Sequence, residues 1–418
     1  MQWKVFKTIV IVFGLGCFSS LALATNGSDC VANNAIDGSL LDSNIADPQS
    51  SWITSMNPAG LVAVGNRVDA GVAVFNPRRE YSATPGGNVA AGRHVSGSKY
   101  HPVPAIGYSR AIDENDAVGV SLTSAGGMCT DYLDSANVFG GGGAGIQMQQ
   151  MFANFSYAHK LNNQFSLGGG LVAAGQSVKV RGLSQFWSFT KTQTGQNLTN
   201  EGTNYSGGGG VIVGAQWDVS KKFGLAASYR SLMIMTKFKK YSNLFAQGGG
   251  FNVPPVGSVG FAWHLQPNMT FTGKVKRIWY SAVPAMSNPI ENLGKRNTDR
   301  SYALGGDNGA GFGWRDMTVF SVGWQWERDA RWTWRAGYSY GKQPIRPSQV
   351  VFNVLAPAVV EQHFTAGFTR KMSQTTELSI YGMFVPRNSV SGPNYFAPAQ
   401  TITLSMEQYQ VGFALSLL

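Results

Sequence analysis

Between Arg331 and Gly341 the sequence changes character at every residue: Trp332, Trp334, Ala336, Tyr338 and Tyr340 alternate with Arg331, Thr333, Arg335, Gly337, Ser339 and Gly341. A two-residue period belongs to a β-strand, because successive side chains point to opposite faces. One face here is largely aromatic and the other is polar or small. The same pattern runs through Phe320, Val322, Trp324 and Trp326, and again through Tyr409, Val411, Phe413, Leu415 and Leu417. In a soluble sandwich the apolar face would meet a core. In a membrane barrel it meets lipid, and the polar face lines the lumen.

Marking every such segment predicts strands at 67–81, 102–112, 115–124, 147–160, 163–180, 207–219, 222–237, 253–265, 268–281, 316–328, 331–342, 361–372, 375–386 and 404–417. Short turns at Asp113–Glu114, Leu161–Asn162, Gln266–Pro267 and Asp329–Ala330 alternate with long loops such as 181–206 and 282–315. A sandwich has no reason to alternate its loop lengths, whereas a bacterial outer-membrane barrel does. The expected fold is therefore all-β, a 14-stranded antiparallel transmembrane barrel covering residues 67–418. No repeat of fixed period points to a solenoid or propeller.

Two further features agree. No segment after the N-terminus offers the roughly 20 consecutive apolar residues of a transmembrane helix. Charged residues make up 13% of the chain beside 12% aromatics and 52 glycines, where a soluble domain would carry about a quarter charged. Residues 1–24 form a predicted secretory signal peptide: Lys4 and Lys7, an apolar run, then Ala22-Leu23-Ala24. Lipoprotein cleavage before Cys17 is the rival, but Leu15 stands one position late for it. Loss of the two leader lysines lowers the net charge from +11 to +9. The basic residues are scattered, and an exported chain meets no genome, so lipopolysaccharide and outer-membrane lipid are the expected charged partners and nucleic acid is not.

The stretch Asn57-Pro58-Ala59-Gly60-Leu61, followed by a first strand with Val74, Phe75, Asn76 and Pro77, resembles the FadL/TodX family, the outer-membrane transporters of long-chain fatty acids and aromatic hydrocarbons. Trp314-Arg315-Asp316, WRAGYSY at 334–340 with Pro344 beyond it, and FNVLAP at 352–357 followed by His363, Phe364, Thr365 and Gly367 resemble it too, in the expected order. The resemblance implies that residues 25–66 form an N-terminal hatch plugging the lumen, with Asn57, Pro58 and Ala59 as its gate. It implies capture of a hydrophobic small molecule at the third and fourth outer loops, and release through a kink in the third strand.

Candidate substrate-binding residues are Leu183, Phe186, Trp187 and Phe189 in the third outer loop, and Tyr241, Leu244, Phe245 and Phe251 in the fourth. Apolar residues in loops expected to face water form a hydrophobic groove or pack against one another. Arg181, Lys191, Lys237, Lys239 and Lys240 flank them and suit either an acidic head group or lipopolysaccharide. Gly126 and Gly127 are the candidate kink, or else the start of a loop. Cys30 and Cys129 are the candidate disulfide pair of an oxidising compartment, although spacing does not show that they meet.

Chemistry-bearing motifs are missing. The five histidines come with no G-x-S-x-G elbow and no metal-ligand spacing, and the run Gly140–Gly143 lacks the Lys and Ser or Thr of a phosphate loop. The chain is expected to be a monomer without metal or cofactor and not an enzyme. A general porin for polar solutes and, further off, an outer-membrane lipid hydrolase are the alternatives.

Overall fold

The computed structural model describes residues 26–29, 34–133 and 137–418. The predicted leader and Cys30 lie outside the described residues. Fourteen strands build the wall: β1 (Arg67–Ala83), β2 (His101–Ala111), β3 (Asp116–Asp131), β4 (Gly145–Lys160), β5 (Phe165–Arg181), β6 (Asn204–Ser220) and β7 (Phe223–Arg230), then β8 (Val256–Gln266), β9 (Met269–Ile278), β10 (Met317–Glu327), β11 (Trp332–Gly341), β12 (Gln362–Lys371), β13 (Thr376–Asn394) and β14 (Ala397–Leu417). Every neighbour is antiparallel, and β1 pairs with β14 from Val68–Leu417 to Ala83–Ile402, which closes the ring. Two short arms stand outside this path, Gly92–Val95 against the end of β1 and Ile234–Met235 against β6.

The alternation read from the sequence sets the two faces. Phe320, Val322, Trp324 and Trp334 point outward and are exposed, while Ser321, Gln325, Arg335 and Ser339 point inward and are buried. Outward aromatics gather at two levels. Trp324–Trp326, Trp332–Trp334 and Trp334–Phe368 make ring contacts near the short turns, and Tyr338–Phe364 and Phe384–Tyr409 do so near the other rim. Such girdles suit the two water–lipid interfaces of a barrel. The tight turns are held by side chains at their first corner: Asp113, Asn162 and Asp329 each accept two backbone amides from the residues that follow.

Three boundaries differ from the sequence expectation. The third strand continues past 124 to Asp131, so Gly126 and Gly127 lie within a strand and do not begin a loop. The strand expected at 222–237 ends at Arg230, where the chain turns aside into the fourth loop. The segment 387–403, expected as a loop, is a tall hairpin in which Asn388–Pro393 pair with Thr401–Met406. Its alternation is weak in the sequence because the outward face, Ser389, Ser391, Pro393 and Thr401, is exposed and carries no large apolar residue, while Val390, Ile402 and Leu404 are buried on the inward face.

Residues 34–66 lie inside the ring. Ser51 donates through its amide and hydroxyl to Asp69 on β1 at 2.7 and 2.6 Å, and Thr54 to Ser121 on β3 at 2.7 Å. Ser43 meets Thr272 on β9 at 2.6 Å, and the Ser39 carbonyl accepts from Thr365 on β12 at 2.8 Å. Only a segment within the barrel can bond strands on opposite sides of it. Its backbone is short helical turns capped by side chains, Asn34 at Ala35–Gly38 and Asn57 at Pro58–Gly60.

Candidate functional site

Several cavities and one irregular strand lie along the barrel interior, the roomiest, about 350 Å³, being a polar one between Asp47 and Gln49 of the inner segment and Arg67, Gln325, Arg335 and Thr369 of the wall. The outer half of the lumen is filled by the long loops, which fold inward into a hydrophobic core. Phe186, in the short 3-10 turn Ser184–Phe189, is its hub: its ring lies 5.5 Å from Phe139, 5.5 Å from Phe352 and 5.6 Å from Phe396. Beside it is a cavity of about 40 Å³, lined by Ile146 and Val180 from the tops of β4 and β5, Leu183, Phe186, Leu244 and Phe245 from the third and fourth loops, and Ala285, Leu304, Phe312, Phe352 and Leu355 from later loops. A cavity with such a lining stays dry, and an apolar guest suits it.

The candidate binding residues therefore divide. Leu183, Phe186, Leu244 and Phe245 come together on the cavity wall. Phe189 is partly buried beside Phe186 and carries the Arg296 guanidinium over its ring at 4.1 Å. Trp187 faces outward and is 52% exposed. Tyr241 and Phe251 are wholly buried without reaching the cavity. The Tyr241 hydroxyl donates to the Gly202 carbonyl at 2.5 Å and accepts from the Val180 amide at 3.0 Å, and burial pushes this phenol above its ordinary range so that it stays a donor. An open groove at the surface is thus replaced by a closed apolar core, because the loops are long enough to cover their own apolar residues. Of the flanking basic residues, Arg181, Lys191, Lys237, Lys239 and Lys240, none lines the cavity. The Lys240 ammonium donates to the Thr203 carbonyl at 3.2 Å.

Below the loops, Asn57, Pro58 and Ala59 press into the wall where β5 and β6 carry glycine. A Cβ at Gly214 would stand 3.1 Å from both Asn57 Cγ and Pro58 Cδ, and one at Gly168 would collide with the backbone of Pro58 and Ala59. Asn57 Nδ2 donates to the carbonyls of Ile45 at 3.2 Å and Ala215 at 3.4 Å, and the Ala59 carbonyl accepts from Ser166 at 3.1 Å. Asp69 anchors the neighbouring turn. Besides Ser51 it accepts from Arg67 Nε at 2.7 Å and Ser416 at 2.5 Å.

A third cavity, about 90 Å³, lies between this inner segment and the wall. Ile45, Met56, Ala125, Phe152, Ile212 and Val256 give it apolar sides, and Asp29, Asp42, Arg230, Lys274 and Lys276 give it charge. Thr123 and Ala125 belong to the irregular strand. The β2–β3 ladder stops at Ala105–Thr123, the β3–β4 register slips between Ser124 and Gly126, and both faces of β3 are buried from Ser124 to Thr130. The space a side chain would take at Gly126 is filled by the Ser28 carbonyl, which also accepts from the Gly127 amide at 3.3 Å. Residues 28 and 29 thus lie against β3 where β2 has left it. Cys129, further along β3, is buried with its sulfur 2.7 Å from Ser98 Oγ, while its candidate partner Cys30 falls outside the described residues.

The family model described as outer membrane protein transport protein (OMPP1/FadL/TodX) matches residues 42–384. The chain belongs to this family. It is an outer-membrane protein of a family of transport proteins. Among solved structures it is similar to the P. putida toluene transporter TodX, at 15% identity and TM-score 0.66 over 92% of this chain and 98% of that one. It is similar to a Pseudomonas aeruginosa FadL homologue at 14% identity and TM-score 0.65, over 95% and 98%. The Ralstonia pickettii toluene transporter TbuX matches at 15% identity and TM-score 0.59, over 92% and 97%. At these identities the likeness establishes the barrel fold. No curated protein matches the sequence.

Sequence reasoning missed Phe352 and Leu355 of the cavity wall, although both stand in the FNVLAP stretch, and it missed Arg230, Lys274 and Lys276 in the lumen. The lysines were legible. In the ninth strand Thr270, Thr272, Lys274 and Lys276 occupy one face of a two-residue period.

Proposed function

We propose that this protein takes up hydrophobic molecules, long-chain fatty acids or aromatic hydrocarbons, across the outer membrane. Cargo enters the apolar cavity beneath the outer loops, descends past the loop core to the luminal cavity, and leaves sideways where β3 parts from β2. Residues 25–66 act as the hatch that denies it a straight path, with Asn57, Pro58 and Ala59 as the gate. The observation that carries this reading is the pairing of an apolar outer cavity with a lumen obstructed by residues 34–66, which suits a hydrophobic cargo better than an open pore. Each methylene kept from water is worth about 0.8 kcal/mol, so a greasy molecule gains by leaving into the membrane.

The outer cavity is smaller than the ~150 Å³ that accommodates benzene, so the loops part when cargo binds. The 26–29 stretch at Gly126 likewise yields for release. The chain acts as a monomer, facing outer-membrane lipid and lipopolysaccharide. Two measurements test this. Purified protein in a planar bilayer should pass little steady ion current, and cells expressing it should accumulate a labelled fatty acid or toluene faster than cells lacking it. A large steady current, or uptake equal in both strains, would refute the reading in favour of a general porin.

A further inference from the structure

Where β13, β14 and β1 adjoin, the outward face of the wall changes chemistry in layers. Its lower part is apolar, with Val74 and Val411 exposed to lipid, and ends in the ring pair Phe384–Tyr409, whose centroids lie 5.5 Å apart. The next layer is charged. Arg78 pairs with Glu407 at 3.1 Å and lies over the Tyr409 ring at 4.9 Å. Glu80 accepts from Arg93, on the short arm Gly92–Val95, at 2.5 Å through one oxygen and from Arg387 through the other. Three guanidiniums thus share two carboxylates, and all three are exposed, their side chains being 57%, 65% and 45% accessible for Arg78, Arg93 and Arg387. Lys99 adds a further exposed cation, without an ion pair among the described residues, on the loop whose carbonyl accepts from Asn76 of β1 at 2.7 Å.

Surplus positive charge just beyond an aromatic girdle stands at the depth of lipid phosphates. Guanidinium suits that partner, because its planar fork takes two phosphate oxygens at once. The tall hairpin says which lipid. Past Arg387 it runs on to Asn394, roughly 20 Å of strand or about 15 Å of height at the usual tilt. Ser389, Ser391 and Thr401 are exposed on its outward face, where the Ser391 and Thr403 hydroxyls lie 2.7 Å apart. A phospholipid head-group layer is only about 5–8 Å deep on each side of a bilayer, so it would leave much of this hydroxyl face unmatched. A phosphorylated glycolipid offers acyl chains, phosphates and sugars in the same order as the three layers of the wall. We propose that this face is a binding site for one lipopolysaccharide molecule, with its acyl chains beside Phe384 and Tyr409, its lipid A phosphates on Arg78, Arg93 and Arg387, and its sugars against the hairpin. The site rests on the outer-membrane location of the barrel and is independent of the cargo, which passes inside the wall.

The test uses detergent-solubilised full-length protein with a metal chelator present, so that no divalent cation bridges phosphate to Glu80 or Glu407. The probes are lipid A carrying both phosphates, lipid A stripped of them, and phosphatidylglycerol, with bound lipid counted by native mass spectrometry. The native barrel should hold phosphorylated lipid A about tenfold or more tighter than the stripped form, the strength of one charge-assisted contact. Replacing both Arg78→Gln and Arg387→Gln should erase that preference. Arg277→Gln, which removes an exposed guanidinium paired with Asp316 at 3.1 Å on β9, should leave it intact. Heat-dependent gel mobility reports whether each barrel is folded. Should the double variant fail to assemble, Arg93→Gln on the arm should by itself weaken phosphorylated lipid A about threefold or more. Equal binding of the two forms of lipid A by the native barrel would overturn the site, as would a preference that survives in full in the folded variants or is lost equally in Arg277→Gln. Phosphatidylglycerol bound as tightly as lipid A would overturn the assignment to lipopolysaccharide. Each of these failures leaves the uptake reading standing.

Discussion

Adding one methyl group at Gly168 should unseat the Asn57-Pro58-Ala59 turn. The Cβ of an alanine there would stand 2.8 Å from Ala59 Cα, and nearer still to the Ala59 nitrogen and the Pro58 carbonyl carbon, where ordinary contact begins at 3.4 Å. These are backbone atoms and cannot swing aside as a side-chain tip can. The turn must therefore retreat from β5 by about half an ångström or more, stretching the Ser166–Ala59 bond of 3.1 Å and the Asn57–Ala215 bond of 3.4 Å. Overpacking of this kind costs about 1–3 kcal/mol, so the ratio of seated to displaced turn should fall roughly five- to 150-fold. Gly175 is the control. It lies on the same strand with nothing within 4 Å of an added Cβ, so Gly175→Ala should be silent. With both variants purified and shown to be folded by heat-dependent gel mobility, steady current across a planar bilayer should rise for Gly168→Ala and match the native protein for Gly175→Ala. A folded Gly168→Ala barrel as silent as the control would refute the claim that this contact keeps the lumen shut.

Three other perturbations are equally direct. Asp69→Ala removes the acceptor shared by Ser51, Arg67 and Ser416 and should destabilise the folded barrel by roughly 3–5 kcal/mol, read as a lower urea midpoint; an unchanged midpoint would contradict the anchoring role. Phe186→Ala empties the hub of the loop core, a loss of about 3–5 kcal/mol at a fully packed site, and should make loop 182–203 cleavable by added protease in intact cells while the barrel remains folded. Gly126→Val puts a side chain where the Ser28 carbonyl lies, so a Ser28→Cys reporter in that background should be alkylated at least several-fold faster than in the native barrel, and an unchanged rate would show that the stretch does not lie on β3.

Much of the wall was legible because each barrel strand has two environments, and a two-residue period writes both into the sequence. Trp324, Trp334 and Phe413 announce lipid, while Arg335, Lys274 and Gln325 announce the lumen, and the Asp and Asn corners announce the turns. Where a segment meets protein on both faces the period fades. That is why β3 beyond Ser124 was misjudged, whereas the tall β13–β14 hairpin was missed because its exposed face carries Ser389, Ser391 and Pro393 where a lipid-facing strand would carry large apolar residues. The apolar loop residues were recognisable as a group, but which of them share a cavity was not, since Phe186 meets Phe352 and Phe396 only after loops far apart in the chain fold over the same opening.

The sequence alone determined the number of strands, their inward and outward faces and the export of the chain, because these depend on local alternation and on short segments read one at a time. Tertiary structure decided what those strands enclose. Asn57 means little until Gly168 and Gly214 leave room for its turn, Gly126 until Ser28 takes the space beside it, and Lys274 until closure of the ring shuts it into one cavity with Asp29 and Asp42. Each depends on contacts between residues separated by scores of positions, brought together only when β1 meets β14.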